Sequence, residues 1–187
     1  MTEAEPRRHP IWLVRHASTS WTGIRWCGRA DPPLDPRGRV EAKALAARLV
    51  PDLPPATVIL ASRARRAIAT ARAVAEPGRL PIELDDDLLE VDVGRAEGLI
   101  WDELAAREPG LAAAIAAAGR VDWPGGETAA DVDARAARAA ERIRIAAVGA
   151  PVVVVSHGAL LHAIARALGV EPLPPPLEPA GLVRVTP

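Results

Sequence analysis

The chain has 187 residues, 49% of them hydrophobic and 25% charged, which is the composition of a folded globular protein rather than of a disordered or fibrous one. Its net charge of -1 creates no overall field that would attract nucleic acid or an anionic membrane, and five Trp with no Phe or Tyr leave few rings on which single-stranded nucleic acid could stack. A single cysteine excludes an internal disulfide and a thiolate zinc cluster.

The N-terminal segment, residues 1–9, is polar and is predicted to be flexible. It lacks the apolar core of a secretion signal, and no segment of the chain contains the roughly 20 apolar residues that a membrane-spanning helix needs. The sequence therefore predicts a single domain over residues 1–187 in the cytoplasm, with no nucleic-acid or membrane partner.

The first half of the chain predicts two strands and a helix between them. Residues 11–14 form a short apolar run, typical of a buried strand. A helix is predicted from Pro36, with Asp35 as its N-cap, and Pro51 ends it. Residues 57–61 are β-branched and apolar, which predicts the second strand.

The middle of the chain predicts a further strand and three helices. A helix with an apolar face follows Ser62, and a short strand is predicted over residues 81–84. An irregular acidic stretch covers residues 85–98, and the three aspartates that open it are interpreted as a solvated loop. Residues 101–108 and 111–118 predict two short helices.

The last third of the chain begins with a long Ala- and Arg-rich helix, which Thr128 opens as part of a capping box. Residues 151–156 predict a strand, 159–168 a helix, 171–180 a proline-rich excursion and 181–186 an edge strand. Continuous apolar strands that alternate with helices predict an α/β fold. We expect a three-layer sandwich with a mostly parallel central sheet flanked by helices.

Polar groups directly follow three of the predicted strands. They are Arg15 and His16, then Ser62 with Arg63, Arg65 and Arg66, and finally Ser156 with His157 and Gly158. Ligands of open α/β sheets bind at the carboxyl edge, and guanidinium groups match phosphate or carboxylate oxygens. These side chains therefore predict a phosphate pocket, although helical periodicity alone does not decide which arginine after Ser62 enters it.

Each of these groups also has a purely structural interpretation. Arg15 and His16 could close a strand in solvent, and they can share a site only if the strand ends between them, because successive strand residues point to opposite faces. The arginines after Ser62 could form a solvated helix face, and His157 could be a core histidine bonded to backbone. Glu90 directly follows the apolar pair Leu88 and Leu89, but its spacing from other residues assigns it no role.

Six segments, taken in order, resemble the motifs of the histidine phosphatase superfamily, also called phosphoglycerate mutase-like, across roughly residues 11–165. The segments are LVRHAST, WCGRADPPLDPRG, SRARRAIATA, LLEVDVGRAEG, GGET and VVVVSHG. In this chain Ala17 and Ser18 stand where the family usually has Gly and Glu. The resemblance covers most of the chain and implies the phosphoglycerate mutase-like version of the predicted fold.

The resemblance also implies a role for each candidate site residue. His16 would be the nucleophile that becomes phosphohistidine, and Glu90 would be the general acid and then the general base. The groups implied to bind the phosphate oxygens are Arg15, Arg66 and His157, with Thr22 also at the phosphate. The residues implied to line the substrate side of the cleft are Cys27, Gly28 and Glu127. No cofactor and no metal ion is implied.

The function expected from these roles is a metal-independent phosphomonoesterase that acts on a small phosphorylated metabolite. A phosphoglycerate mutase-type transfer and a non-catalytic phosphate-binding module on the same fold are the alternatives within the resemblance. A metal hydrolase that uses His16, His157 and acidic residues is a further alternative, which adjacent arginines disfavour by repelling a cation. Residues 20–31 and 101–127 are expected to determine substrate specificity. A homodimer is also expected, because dimers are common among family members.

Overall fold

The computed structural model describes residues 9–117, 120–170, 173 and 177–185. Four predictions lie wholly or partly outside the described residues. They concern residues 1–8, much of the proline-rich segment 171–180, and the last residue of both the helix predicted over 111–118 and the predicted edge strand. No helix within the described ranges is both long and apolar enough to cross a membrane.

Within the described residues, five strands form one sheet in the order β3-β2-β4-β1-β5. The strands are β1 Ile11–Arg15, β2 Val58–Ser62, β3 Ile82–Asp85, β4 Val152–Ser156 and β5 Leu182–Val185. Neighbouring strands run parallel, except that β5 pairs antiparallel with β1 at the edge of the sheet. The predicted α/β class with a mostly parallel sheet is confirmed, and each predicted strand is present within one or two residues.

In the part of the chain that the structure describes, six α-helices and three short 3₁₀ helices accompany the sheet. The α-helices are α1 Pro36–Leu49, α2 Arg65–Gly78, α3 Trp101–Arg107, α4 Pro109–Ala116, α5 Ala129–Gly149 and α6 Gly158–Leu168. The 3₁₀ helices are Val50–Asp52, Asp86–Leu88 and Gly94–Ala96.

Local side-chain chemistry explains where several of these helices begin. The Asp35 carboxylate accepts from the Gly38 N–H at 2.7 Å at the start of α1, as the sequence predicts. Thr128 and Asp131 form the predicted capping box at the start of α5. Pro109, interpreted from sequence as part of a break between two helices, is instead the first residue of α4, because a first-turn residue needs no backbone N–H.

The helices cover both faces of the sheet, so the fold has three layers. Alternate strand residues point to opposite faces. The strand residues that face α5 and α6 include Ile11, Leu13, Val152 and Val154. Those that face α1 and α2 include Trp12, Val14, Val153 and Val155. A third, smaller apolar cluster joins residues from 93 to 111 and packs against Trp26 and Trp123.

The aspartates at the end of β3 and directly after it do not form the solvated loop that the sequence suggests. The Asp85 carboxylate accepts from Arg142 of α5 at 2.7 and 2.8 Å, and Asp87 accepts from Arg138 at 2.8 Å and from Arg142 at 2.8 Å. Only Asp86 is exposed among the three. The acidic run therefore ties the end of β3 to the long helix, a partnership across more than 50 residues that local composition does not reveal.

Candidate active site

The carboxyl ends of three adjacent parallel strands meet at one cleft. The strands β2, β4 and β1 are neighbours in the sheet, and they end at Ser62, Ser156 and Arg15. His157 and His16 directly follow β4 and β1, and their ring centroids are 5.0 Å apart in an edge-to-face arrangement. The topology therefore brings together two side chains that are 141 residues apart in the sequence.

His16 lies just beyond the last residue of β1. The rule that successive strand side chains point to opposite faces therefore does not apply to it, and its side chain can share a site with that of Arg15. Its backbone N–H still donates to the Ser156 carbonyl at 2.9 Å, which holds the residue against β4. The ring Nδ1 lies 2.7 Å from the Ala17 carbonyl oxygen. Because a carbonyl can only accept, Nδ1 carries the hydrogen and Nε2 keeps its lone pair.

The environment of His16 keeps its imidazole neutral. Burial lowers the pKa of His16 to about 3, and the positive charges of Arg66 and Arg15 act in the same direction, against the opposing effect of the hydrogen bond to Ala17. At neutral pH the Nε2 lone pair is therefore available to attack an electrophile.

Arg66 is fully buried beside this nitrogen, and its Nε–H donates to the His16 Nε2 lone pair at 3.3 Å, the contact that an incoming phosphate would replace. Its Nη1 donates to the Ala30 carbonyl at 2.7 Å and its Nη2 to the Gly28 carbonyl at 3.0 Å. A guanidinium group has five N–H donors, so hydrogens remain on both terminal nitrogens for a ligand. Arg63 and Arg65 are exposed. The structure therefore shows which of the three arginines after Ser62 is buried at the site, a choice that helical periodicity could not make.

Two buried side-chain nitrogens at the site have no partner. They are Arg15 Nε and His157 Nδ1, and within the described ranges no other buried side-chain nitrogen or oxygen lacks a hydrogen bond. Native structures rarely leave such atoms unsatisfied. An anion bound against His16 would supply acceptors to both.

The tautomer of His157 follows from its partner at the end of β2. The His157 Nε2 lies 2.8 Å from Ser62 Oγ, which also accepts from the Ala64 N–H at 3.2 Å. Among the described residues this ring nitrogen is the only acceptor in reach of the Ser62 hydrogen, so the hydroxyl donates to the ring. In this arrangement Nδ1 carries the proton and is a donor. Burial, followed by the proximity of the His16 ring and the positive charge of Arg66, lowers the pKa of His157 well below its usual range, so the ring is neutral.

Glu90 lies across the cleft from these groups, at the N-terminus of α6. Its Oε1 accepts from the Val91 N–H at 2.9 Å and the Leu160 N–H at 3.1 Å, and its Oε2 lies 3.4 Å from the Ala159 nitrogen. The helix dipole and these N–H groups hold the carboxylate in one orientation. The carboxylate lines the same cleft as His16 and Arg15.

Sequence reasoning did not identify Arg135, which supports the segment that carries Glu90. This buried side chain donates to the carbonyls of Asp87, Leu89 and Glu90 at 3.0, 2.6 and 3.3 Å. It also forms a two-point contact with the Glu127 carboxylate at 2.8 and 2.7 Å. The feature of the sequence that could have identified Arg135 is its position as a charged residue on the otherwise apolar face of α5.

Glu127 and Gly28, both assigned to the substrate side from the resemblance, lie behind the cleft in the structure. The Glu127 carboxylate is held by Arg135 and by the Asp92 N–H at 2.8 Å. Gly28 supplies the carbonyl that binds Arg66, and a Cβ there would lie 2.4 Å from the Val91 carbonyl oxygen, which explains why a glycine is needed.

The cleft has a volume of about 350 Å³, enough for a small metabolite. Thr22 and Cys27 line it, as do Trp21 and Trp26. Burial raises the pKa of Cys27 to about 11, so this thiol is not a thiolate nucleophile. His162, to which the sequence assigned no position, also lines the cleft, one helical turn after Gly158.

The groups that face one another here suit an anion. Arginine side chains, neutral imidazole N–H groups and the start of a helix are the usual partners of phosphate oxygens. Among the described residues, no three His, Cys, Asp or Glu side chains are grouped so that they could hold a metal ion.

Comparison with known proteins identifies relatives over nearly the whole chain. A family model described as the histidine phosphatase superfamily (branch 1) matches residues 11–184. Phosphoserine phosphatase 1 of Hydrogenobacter thermophilus is 33% identical over 158 residues, which are 83% of this chain and 74% of that protein. A bifunctional protein of Mycobacterium tuberculosis is 37% identical over 148 residues, which are 79% of this chain and only 40% of that protein.

Solved structures show the same fold. The structure of a mycobacterial glucosyl-3-phosphoglycerate phosphatase superimposes with a TM-score of 0.80 at 30% identity, over 95% of this chain and 90% of that one. The likeness therefore extends over nearly the whole fold.

Proposed function

Because the chain belongs to the histidine phosphatase superfamily (branch 1), we propose that it hydrolyses a small phosphomonoester through a covalent phosphohistidine on His16. The observation that carries this proposal is the neutral His16 ring, which presents the Nε2 lone pair beside a buried guanidinium group and two unpartnered nitrogens, Arg15 Nε and His157 Nδ1. Relatives named as phosphatases support the same reaction class.

In the first half of the reaction, His16 Nε2 attacks phosphorus and the ester P–O bond breaks. Glu90 gives its proton to the leaving oxygen, so that the alcohol departs neutral. Arg15, Arg66 and the His157 Nδ1–H donate to the three transferring oxygens, where negative charge is concentrated in the transition state. These donors are held by the fold before substrate arrives, so they cost little reorganisation.

The backbone of Ala17 stabilises the intermediate. Phosphorylation at Nε2 removes the lone pair and places positive charge on the imidazole ring. The Nδ1–H to Ala17 carbonyl bond, 2.7 Å long in the free site, strengthens as that charge develops. The Ala17 N–H in turn donates to the Thr70 hydroxyl at 3.0 Å, which fixes the peptide.

In the second half, water attacks the phosphohistidine from the side that the alcohol has left. Glu90, now ionised, takes a proton from that water, the P–N bond breaks, and its electron pair returns to Nε2. Orthophosphate leaves and Glu90 is protonated again. Splitting one displacement into two lowers the barrier of each, and no metal ion is needed for either step.

Rapid-quench labelling with a ³²P-phosphomonoester tests the covalent step. Wild type is expected to yield an acid-labile, base-stable phosphoprotein, and His16→Ala to yield none. His9→Ala, which changes an exposed histidine far from the cleft, is the matched control and should label like wild type. Hydrolysis without such a phosphoprotein would overturn the covalent mechanism, and an isomerised organic phosphate in place of orthophosphate would indicate a mutase.

A further inference from the structure

We propose that a second cavity beside the catalytic cleft binds an apolar, ring-containing leaving group, which makes aryl-type phosphomonoesters the preferred substrate class. This inference rests on the proposed phosphatase function, since it concerns which ester that reaction accepts. The cavity has a volume of about 220 Å³. For comparison, an apolar protein cavity of about 150 Å³ accommodates a benzene molecule.

The cavity lies on the side of the catalytic cleft toward which the leaving group departs. It shares Trp26 and Ala159 with the catalytic cleft, so the two spaces adjoin. Val91 and Ala159 line the cavity, and their backbone N–H groups are also the ones that contact the Glu90 carboxylate, at 2.9 and 3.4 Å. Glu90 protonates the leaving oxygen in the proposed reaction, so the body of the leaving group lies beyond Glu90, against these walls.

The walls of the cavity favour an apolar occupant with a flat face. Trp26 and Trp123 lie with their ring centroids 5.4 Å apart at 59°, and Ile115, Val121 and Val132 supply aliphatic surface. Tilted aromatic arrangements of this kind leave ring faces for a further ring to contact. Binding of a ligand to such a site is driven mainly by the removal of apolar surface from water.

The charged residues around the cavity are partnered with one another. Arg120 donates to the Asp133 carboxylate and to the Ala129 carbonyl, the latter at 3.1 Å. Arg166 donates to the same carboxylate at 3.4 Å. Most of the described residues that line the cavity are nevertheless apolar, so apolar surface is the larger part of what it offers a ligand.

The distribution of tryptophan in the chain points the same way. Trp21 and Trp26 line the catalytic cleft, and Trp101 and Trp123 both contact Trp26. Only Trp12, in β1, is part of the sheet, in a chain that has no Phe or Tyr. Three of the five large aromatic side chains, Trp21, Trp26 and Trp123, therefore line the cleft or the adjoining cavity, where a ring of the substrate could contact them.

The test compares 2-naphthyl phosphate with phenyl phosphate. Phenol and 2-naphthol are similarly acidic, so a difference in kcat/KM reports contact with the second ring rather than leaving-group chemistry. We expect wild type to prefer the naphthyl ester by about tenfold, a gain consistent with burying one further ring. The inhibition constants of the matching non-hydrolysable phosphonates should show the same preference without turnover.

Two variants alter the cavity in opposite ways. Trp123→Ala removes one aromatic wall, and Ile115→Phe fills the space from α4 with a larger side chain; each is expected to bring the naphthyl-to-phenyl ratio close to one. Trp101→Ala is the matched control, because Trp101 contacts Trp26 at 6.4 Å but lines neither space. It should keep the wild-type ratio.

The outcomes separate this inference from the function on which it rests. If neither ester is hydrolysed in a His16-dependent way, the proposed function fails. If both are hydrolysed with a ratio near one, or if folded Trp123→Ala and Ile115→Phe both keep the wild-type ratio, the substrate class is wrong while the phosphatase stands. Circular dichroism establishes that each variant is folded before its ratio is compared.

Discussion

At the scale of the residue, the state of each imidazole depends on one hydrogen-bond partner. The Ala17 carbonyl places the hydrogen of His16 on Nδ1, and the Ser62 hydroxyl places that of His157 on its own Nδ1. The two rings therefore present opposite functions to the same ligand, a lone pair from His16 and an N–H from His157. This division requires that both rings be neutral, which burial and the nearby guanidinium groups ensure.

Ser62→Ala is expected to remove the donor that sets the His157 tautomer. The ring can then move its hydrogen to Nε2, and the phosphate loses one donor, so kcat/KM should fall by roughly tenfold to a hundredfold. Long-range ¹H–¹⁵N correlation spectra should show protonated Nδ1 in wild type and a change of tautomer in the variant. An unchanged tautomer together with an unchanged kcat/KM would refute this assignment.

Glu90→Gln is expected to affect esters according to their leaving group. An alkyl alkoxide needs protonation as it departs, so alkyl phosphates should lose about 10² to 10⁴ in kcat/KM. p-Nitrophenolate departs without a proton, so p-nitrophenyl phosphate should lose much less. Steady-state kinetics on the two esters measure the difference, and equal losses would speak against Glu90 as the general acid.

At the scale of the element, α5 holds together two loops that the catalytic chemistry needs. Arg135 binds backbone carbonyls of residues 87–90 and, through Glu127, the segment that precedes the helix. Burial opposes ionisation of Glu127, but the hydrogen bonds from Arg135 and the Asp92 N–H outweigh it and lower the pKa of Glu127, so the pair is charged. The helix thereby positions Glu90 without touching the substrate.

Arg135→Lys is expected to lower kcat in the pattern of Glu90→Gln. Lysine keeps the positive charge but lacks the planar guanidinium group whose several N–H donors bind one carboxylate and three carbonyls. Glu90 is therefore expected to lose its fixed position. Alkyl phosphates should therefore lose more activity than p-nitrophenyl phosphate, with KM little changed. A merely structural role would reduce both activities in proportion to the folded fraction.

Arg138→Lys is the matched control for this prediction. Arg138 lies one turn further along α5 and pairs at the surface with Asp87, whose carboxylate also has Arg142 as a partner. Surface pairs of this kind contribute roughly 0–1 kcal/mol to stability. Its kinetics should match wild type on both esters, and a leaving-group effect as large as that of Arg135→Lys would remove the case for positioning by Arg135.

At the scale of the whole molecule, the fold buries two neutral histidines at the edge of its sheet and so couples its stability to pH. The pKa of His16 falls from 6.5 to about 3 on folding, and that of His157 is lowered as well. Between these values the unfolded chain binds protons that the native chain does not. Stability is therefore expected to fall as pH decreases below about 6.5.

Denaturant unfolding at pH 7.5, 6.5, 5.5 and 5.0 measures this dependence. Each histidine contributes a slope of up to about 1.4 kcal/mol per pH unit below 6.5. His16→Asn removes one titrating group, so its free energy of unfolding should vary less steeply with pH than that of wild type. Parallel curves for the two proteins would show that His16 is protonated equally in both states.

Local rules in the sequence predicted most of the fold. Asp35 and Pro36 started α1, Thr128 started α5, and the apolar runs ended in the polar groups that the structure places at one edge of the sheet. Such features depend on residues three or four apart, so they can be recognised without knowing the fold. The single domain over residues 1–187, the cytoplasmic location and the homodimer stay predictions.

The sequence by itself therefore determined which residues end the strands and which family they resemble. Only the tertiary structure decided that Arg66 is buried against His16, that Arg135 holds the Glu90 segment 45 residues away, and that Trp26 joins the cleft to a second cavity. The physical reason is range: caps and periodicity arise within one turn, whereas burial, tautomers and shared cavities arise from groups that meet only when the sheet and its helices pack.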